Sequence, residues 1–372
     1  MKKKLLALVC ALALAVGLVG CGISTPDTVG RIGSYEVKSG IYLLAQYSAY
    51  QQACQLADTD QDTTDVSAFL KATITTDADS GETAVVSDYV ADKTLETLEF
   101  YAAVEDRFAT LGGELTEDQI SAADRYAQQL MDQYGDTYTA NGIGLETLKS
   151  FERIQLKHTA LLEMVYGADG ETPVSDSELT DHLNNDMFEI AYISVPLYNT
   201  SNYTFADEDQ TTQMLELAQT AAENCNEAAA GLTDVSSQVS ALYSAATSVL
   251  PDIYAVLENS YTADNASVQT ELLSDSTLSS AFTQDGAADT VRALSYGEAA
   301  AVQYNSVSMM LLMRIDPLAV SSLDDLRTQV LSDLKGTELD DSLTEYGAGL
   351  ENTLSSTAMR KMPASKIVNS NS

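Results

Sequence analysis

Apolar side chains along much of this chain recur at intervals of three and four, the spacing that lines up one face of a helix. Leu98, Tyr101, Val104, Phe108 and Leu111 form one such stripe, halted by Gly112-Gly113. Ile120, Ala123, Ala127, Leu130 and Tyr134 form the next, behind Thr116-x-x-Gln119, a capping box. Phe151, Ile154, His158, Leu161 and Val165 repeat the spacing, and Ser175-x-x-Glu178 opens a further short helix. Near the far end come Leu323, Leu326, Val330 and Leu334, then Leu339, Leu343, Tyr346 and Leu350. An isolated amphipathic helix is marginal in water, so this arm must pack on another part of the chain.

Strand-like patterns are few. Val29–Ile32 and Tyr35–Val37 flank Gly33-Ser34 and predict a small hairpin, followed by a helix over Gly40–Leu56 with Ser39 as N-cap. Phe188–Pro196 and Val307–Ile315 are apolar runs that predict strands, the second bounded by Asp316-Pro317. Between them a helix is expected from Thr211 to about Ala229, ending at Gly231. Residues 233–262, rich in Ser and Ala, predict more helix, broken at Pro251. Ser295-Tyr296-Gly297-Glu298 reads as a turn. The whole pattern predicts an α+β chain that is mostly helical.

The first residues read as an address. Lys2, Lys3 and Lys4 precede an apolar run from Leu5 to Val16, too short to span a membrane comfortably and laid out as a secretory signal. The run ends in Leu18-Val19-Gly20-Cys21. This resembles the lipobox of bacterial lipoproteins, in which the Cys is lipidated and becomes the first mature residue. Residues 1–20 are then the signal peptide and 21–27 a lipidated tether. Two acyl chains on Cys21 would meet the requirement for stable anchoring. The expected location is the extracytoplasmic face of the cell membrane.

At 372 residues, two or three domains with a sizeable core are expected. Acidic side chains number 55 against 19 basic ones, and removing the leader takes the formal net charge from -36 to -39. That balance argues against nucleic acid as a partner and against adhesion to anionic lipid by a basic patch. Cys54 and Cys225 remain in the mature chain; unpaired thiols are expected, and the sequence leaves a bridge between them open.

Candidate chemistry is sparse. His158 lies on an apolar stripe and reads as a partly buried core residue, whereas His182 beside Asp181 reads as a solvated side chain. No metal site is expected from these two. Asp58-x-Asp60-x-Asp62 opens like a calcium loop, but Thr63 stands where Gly is needed and Phe69 at the twelfth position, so a solvated acidic loop is expected. Met309, Met310 and Met313 read as sheet core rather than an adaptable groove. No nucleotide, dinucleotide or zinc-protease motif is present, and no cofactor is expected.

The order of elements resembles the SurA/PrsA-type extracytoplasmic foldases. Val29-Gly30-Arg31-Ile32-Gly33-Ser34-Tyr35-Glu36-Val37 is similar to that family's opening hairpin. Asn141-Gly142-Ile143-Gly144 and Pro173-Val174-Ser175-Asp176-Ser177-Glu178-Leu179 are similar to the end of its helical chaperone domain. The resemblance implies a helical domain over 28–186, a parvulin-like domain over 187–318 and a C-terminal arm over 319–372 packing on the N-terminal domain. Where active parvulins carry two His, this chain offers Tyr192 and Met310. Rotation about X-Pro faces a barrier of about 18–20 kcal/mol, and lowering it needs placed polar groups. The resemblance therefore implies a degenerate isomerase domain with no catalytic residue expected. It also implies a membrane-anchored chaperone that buries apolar segments of unfolded exported polypeptides. The alternatives are an active prolyl isomerase built on Tyr192, a solute-binding lipoprotein and a scaffold.

Overall fold

The computed structural model describes residues 26–369, so the leader, the lipobox and Cys21 lie outside the described residues. In chain order the elements are β1 (Thr28–Ile32), β2 (Tyr35–Lys38), α1 (Ser39–Gln55), α2 (Val66–Phe69), β3 (Thr73–Asp77), β4 (Glu82–Val85), α3 (Val86–Thr110), α4 (Glu117–Ala140), α5 (Leu145–Tyr166) and α6 (Asp176–Asn185). Then follow β5 (Met187–Pro196), α7 (Glu208–Ala229), α8 (Val235–Val256), β6 (Gln269–Ser274), α9 (Asp275–Ala281), α10 (Ala287–Ala293), β7 (Ala299–Asn305), β8 (Ser308–Arg314), α11 (Pro317–Val320), α12 (Leu323–Ala348) and α13 (Ser356–Met359). The class is α+β and mostly helical, as expected. None of the described helices is long and apolar enough to cross a membrane.

The chain divides into two compact units, one formed by residues up to Met164 together with Thr337 onward, the other by Val165–Gly336. In the first, α1 packs along α3, burying Ile41 and Ala45 with Leu98, Tyr101 and Val104, while Leu44 packs with Ala127, Ile143 and Leu148. A second cluster gathers Tyr50, Phe69, Ile74, Val86 and Val90, with the Tyr50 and Phe69 rings edge-on at 5.7 Å. The capping box forms in full at Thr116 and Gln119. Ser39 is not a cap: it sits in the first turn of α1, and its hydroxyl donates to the Pro26 carbonyl. The C-terminal segment adds a third row to the β1–β2 hairpin. Thr353 N donates to Arg31 O at 2.8 Å, Ser355 N to Val29 O at 2.7 Å, and Gly33 N to Glu351 O at 2.8 Å. Gly30 permits this approach, because a Cβ there would lie 2.6 Å from the Thr353 carbonyl oxygen. In α12, Gly347 lies against the backbone of α3, where a Cβ would meet Glu99 O at 2.4 Å.

The second unit is built on a four-stranded antiparallel sheet of order β6-β5-β8-β7. Both faces are covered, which is why β5 and β8 read as continuous apolar runs rather than alternating ones. Ala191, Ile193, Val195, Met309, Leu311 and Met313 face α7 and α8. Phe188, Ile190, Met310, Leu312, Ala300 and Val302 face Leu278, Phe282 and Val291 from α9 and α10. The three Met are core, as read. Pro251 does not break its helix: α8 runs through it. The ring is exposed, and burial of Leu250, Ile253 and Tyr254 offsets the cost of about 3 kcal/mol.

The division between units falls at 164/165 and 336/337, whereas the sequence placed it at 186/187 and 318/319. Side chains explain the shift. Leu179 and Leu183 of α6 are fully buried, with α6 lying beside β5. Asp176 pairs with Arg327 of α12 at 2.6 Å, and Gln329 donates to the Leu272 carbonyl at 3.0 Å. The stripe Leu323–Leu334 therefore belongs with the sheet, and only the stripe from Leu339 onward belongs with the N-terminal helices.

Candidate functional site

Tyr192 and Met310 do come together on one sheet face. Tyr192 stands opposite Leu312, and Met310 opposite Ser194, which makes the two diagonal neighbours across β5 and β8. Diagonal pairs of this kind lie about 7–8 Å apart. The Tyr192 hydroxyl donates to Gln269 Oε1 at 2.9 Å, with Glu271 Oε2 at 3.4 Å. Burial first, then the Glu271 charge, push its pKa up, so it remains a neutral phenol. Met310 is 7% exposed and packs among Phe188, Phe282 and Leu312. The face thus offers one hydroxyl, already engaged, and one thioether that neither donates nor accepts strongly.

Both His residues stand elsewhere. His158 is partly buried as expected, its Nε2 at 2.7 Å from Asp340 and its ring edge-on to Phe100. His182 is not solvated: its side chain is 14% exposed, with Nδ1 at 3.1 Å from Asp186 and Nε2 at 2.7 Å from Asp333. The start of α12 covers it, which its polar neighbours in sequence do not reveal. The acidic loop folds on itself, Asp62 accepting from the Thr64 N–H at 2.8 Å and from its hydroxyl at 2.6 Å. Among the described residues, no group of three or more His, Cys, Asp or Glu is arranged to hold a metal. Cys54 and Cys225 are free and fall in different units; burial raises the Cys225 pKa to about 11.

Glu189 on β5 is 8% exposed, and burial, then the Glu271 charge, raise its carboxyl pKa. The native state therefore holds that proton more tightly than the unfolded chain does. Stability falls as pH rises from the unfolded value of about 4.3 through the raised native one. Glu189→Gln is expected to melt a few degrees above wild type at pH 7.5, with the gap closing towards pH 4. Equal melting temperatures across that range would refute a cost at this carboxylate.

The most exposed large apolar side chains among the described residues are Tyr203 at 73% and Phe205 at 61%. They sit on a ten-residue excursion after β5, residues 197–206, for which the sequence pattern predicts no element. The segment is built rather than loose. Asn199 N donates to Thr204 O and Ala206 N to Leu197 O, both at 2.8 Å. The Asn199 side chain accepts from Ser201 N at 2.9 Å and donates to the Leu257 carbonyl at 2.7 Å. Asn259 accepts from Thr200 N at 2.8 Å and donates to Tyr198 O at 2.9 Å. Tyr203 is held at φ +59°, an uncommon conformation for an aromatic residue. Its ring stacks on Tyr198 at 6.2 Å, and Phe205 meets the same ring edge-on at 6.1 Å. The run Tyr198-x4-Tyr203-x-Phe205 was the available signal, hidden because exposure cannot be read from three aromatics in a polar loop.

The fold and this surface define an α+β protein that displays aromatic rings on a hydrogen-bonded loop. No family model matches the chain, and no curated protein matches it. Among solved structures it is similar to the foldase protein PrsA from Streptococcus pneumoniae, at 14% identity and a TM-score of 0.36, covering 78% of this chain and 94% of that one.

Proposed function

We propose that this chain is a membrane-anchored, extracytoplasmic chaperone or foldase that holds unfolded exported polypeptides, without strong prolyl isomerase activity. The observation that carries this reading is the rigid display of Tyr203 and Phe205 to solvent, with Tyr198 behind them. Clustered exposed aromatics mark contact sites for other molecules, and amphipathic rings suit varied polypeptide surfaces. Binding of this kind needs neither nucleotide nor metal. The parvulin-like assignment of the sheet unit rests on the sequence resemblance, and its weak catalysis on Tyr192 and Met310 standing where imidazoles are needed.

The test is a pair of assays on residues 22–372. Suppression of aggregation of a denatured client is expected at stoichiometric ratios, while rotation of short proline peptides stays near background. Strong isomerisation that drops in Tyr192→Phe would make the enzyme the primary reading. Absence of both activities would favour the scaffold or solute-binding alternatives.

Anchoring is part of the same proposal and rests on Leu18-Val19-Gly20-Cys21. Cys21→Ala is expected to abolish incorporation of labelled acyl chains and to shift essentially all of the protein from the membrane fraction. A wild-type protein that takes up no lipid label would end the lipoprotein reading.

A further inference from the structure

The sheet of the second unit has two open edges, β6 and β7, and β7 borders a cleft of about 730 Å³. Backbone groups on the outer side of β7 are satisfied unevenly. Even-numbered residues face β8: Glu298 O accepts from Arg314 N at 3.1 Å, and Ala300 and Val302 continue the pairing with Leu312 and Met310. Odd-numbered residues face outward, as alternation requires. Ala299 is capped by one side chain, its N–H donating to Asn226 Oδ1 at 2.7 Å and its carbonyl accepting from Asn226 Nδ2 at 3.0 Å. Further along, the register shift between Gln303 and Asn305 reverses the alternation, and the Tyr304 carbonyl turns outward to accept from Thr283 N at 2.7 Å. Between these two caps, the outward N–H and carbonyl of Ala301 have no partner among the described residues. From Ala299 to Tyr304 the strand spans about 17 Å at roughly 3.3 Å per residue, room for a short extended segment.

The walls specify chemistry. One is α7, presenting Leu215 and Glu216; the other is the loop into α10, with Gln284 and Asp285. The two carboxylates are exposed, and no Lys or Arg lines the cleft. They stand on opposite sides of the sheet plane, since α7 covers one face and α10 the other. Successive side chains of an added strand point to opposite faces, so two adjacent cationic residues would each meet one carboxylate.

We infer that the β7 edge at Ala301 takes an extended, cationic polypeptide segment as an added strand, with Glu216 and Asp285 reading basic side chains on its two faces. This rests on the reading of the chain as a binder of unfolded polypeptide, and it supplies a second contact of a different kind from the aromatic loop. Main-chain hydrogen bonds give affinity for any extended sequence, and the flanking acids bias the choice.

The probe is a fluorescent decapeptide of Val and Thr with two central Lys, titrated with residues 22–372 and read by anisotropy. Three changes are each expected to weaken binding about tenfold or more. Ala301→Pro deletes the outward N–H at an edge position where Pro is tolerated, after a residue already extended. The double variant Glu216→Lys, Asp285→Lys reverses the charges. A peptide N-methylated at its central amides removes the backbone bonds and leaves the protein unaltered, so that arm stands even if a variant folds poorly. Equal affinity for methylated and plain peptide overturns the inference. A dimer seen by light scattering and abolished by Ala301→Pro also overturns it, because the edge would then pair with a second copy. Aggregation suppression is scored separately. If wild type suppresses aggregation yet ignores the decapeptide, the edge site fails and the chaperone reading stands; if it binds the decapeptide yet suppresses nothing, the edge site stands and the chaperone reading fails.

Discussion

Deleting residues 337–372 is expected to abolish cooperative unfolding of the N-terminal helical unit. The segment buries Leu339 and Leu343 to 5% and 3% exposure and Met362 to 2%. Removing one such side chain costs about 2–5 kcal/mol, whereas a whole domain is stable by about 5–15 kcal/mol. The polar losses add to this. The β1–β2 hairpin loses its bonds to Glu351, Thr353 and Ser355. Asn141, 9% exposed, loses a reciprocal pair with the Val368 backbone, both bonds at 2.9 Å. Buried Gln46 loses the Met362 carbonyl at 3.3 Å. A buried polar group left without a partner costs about 1–3 kcal/mol. The measurement is a thermal melt by circular dichroism, with hydrogen exchange at the amides of residues 28–38. A truncated chain that melts as sharply and as high as the full one, with those amides still protected, would show that the tail is dispensable.

Tyr203→Ser combined with Phe205→Ser is expected to remove most of the aggregation suppression while leaving the melting temperature within a degree or two. The asymmetry follows from exposure. At 73% and 61% exposed, these rings contribute little burial to the folded state, so their loss costs it little. For a client they are the accessible part of a three-ring surface, and a buried aromatic at an interface is commonly worth 2 kcal/mol or more, about thirtyfold in affinity. The double change keeps Tyr198 and the Asn199 and Asn259 bonds that shape the loop. If the variant protects a client as well as wild type, the aromatic loop is not the contact. If it unfolds, the rings were structural, and Tyr203→Leu, which keeps an apolar side chain, would then be expected to restore the fold.

The helical stripes were legible because each is a local property. Spacing of three and four, a Gly-Gly stop and a Thr-x-x-Gln box involve residues within a few turns of one another. The two central strands were legible because burial on both faces demands continuous apolar runs. The edge strands were not. β7 begins Ala299-Ala300-Ala301, residues that favour helix, and β6 is mostly polar; each is a strand because a neighbour offers hydrogen bonds, which sequence spacing does not encode. The β3–β4 hairpin was missed for a similar reason, its pairing carried by exposed Thr and Asp.

By itself, then, the sequence determined the α+β class, most helices and the central pair of strands. Periodicity, caps and residue identity are properties of neighbours in the chain. Tertiary structure alone decided that the stripe from Leu323 joins the sheet while the stripe from Leu339 joins the first helices. It also decided that His182 is held between Asp186 and Asp333, that Tyr203 and Phe205 face water, and that the outward backbone groups of Ala301 beside a cleft find no partner among the described residues. Each of these depends on which distant residue arrives, or fails to arrive, at a given side chain or peptide group, and no local pattern carries that information.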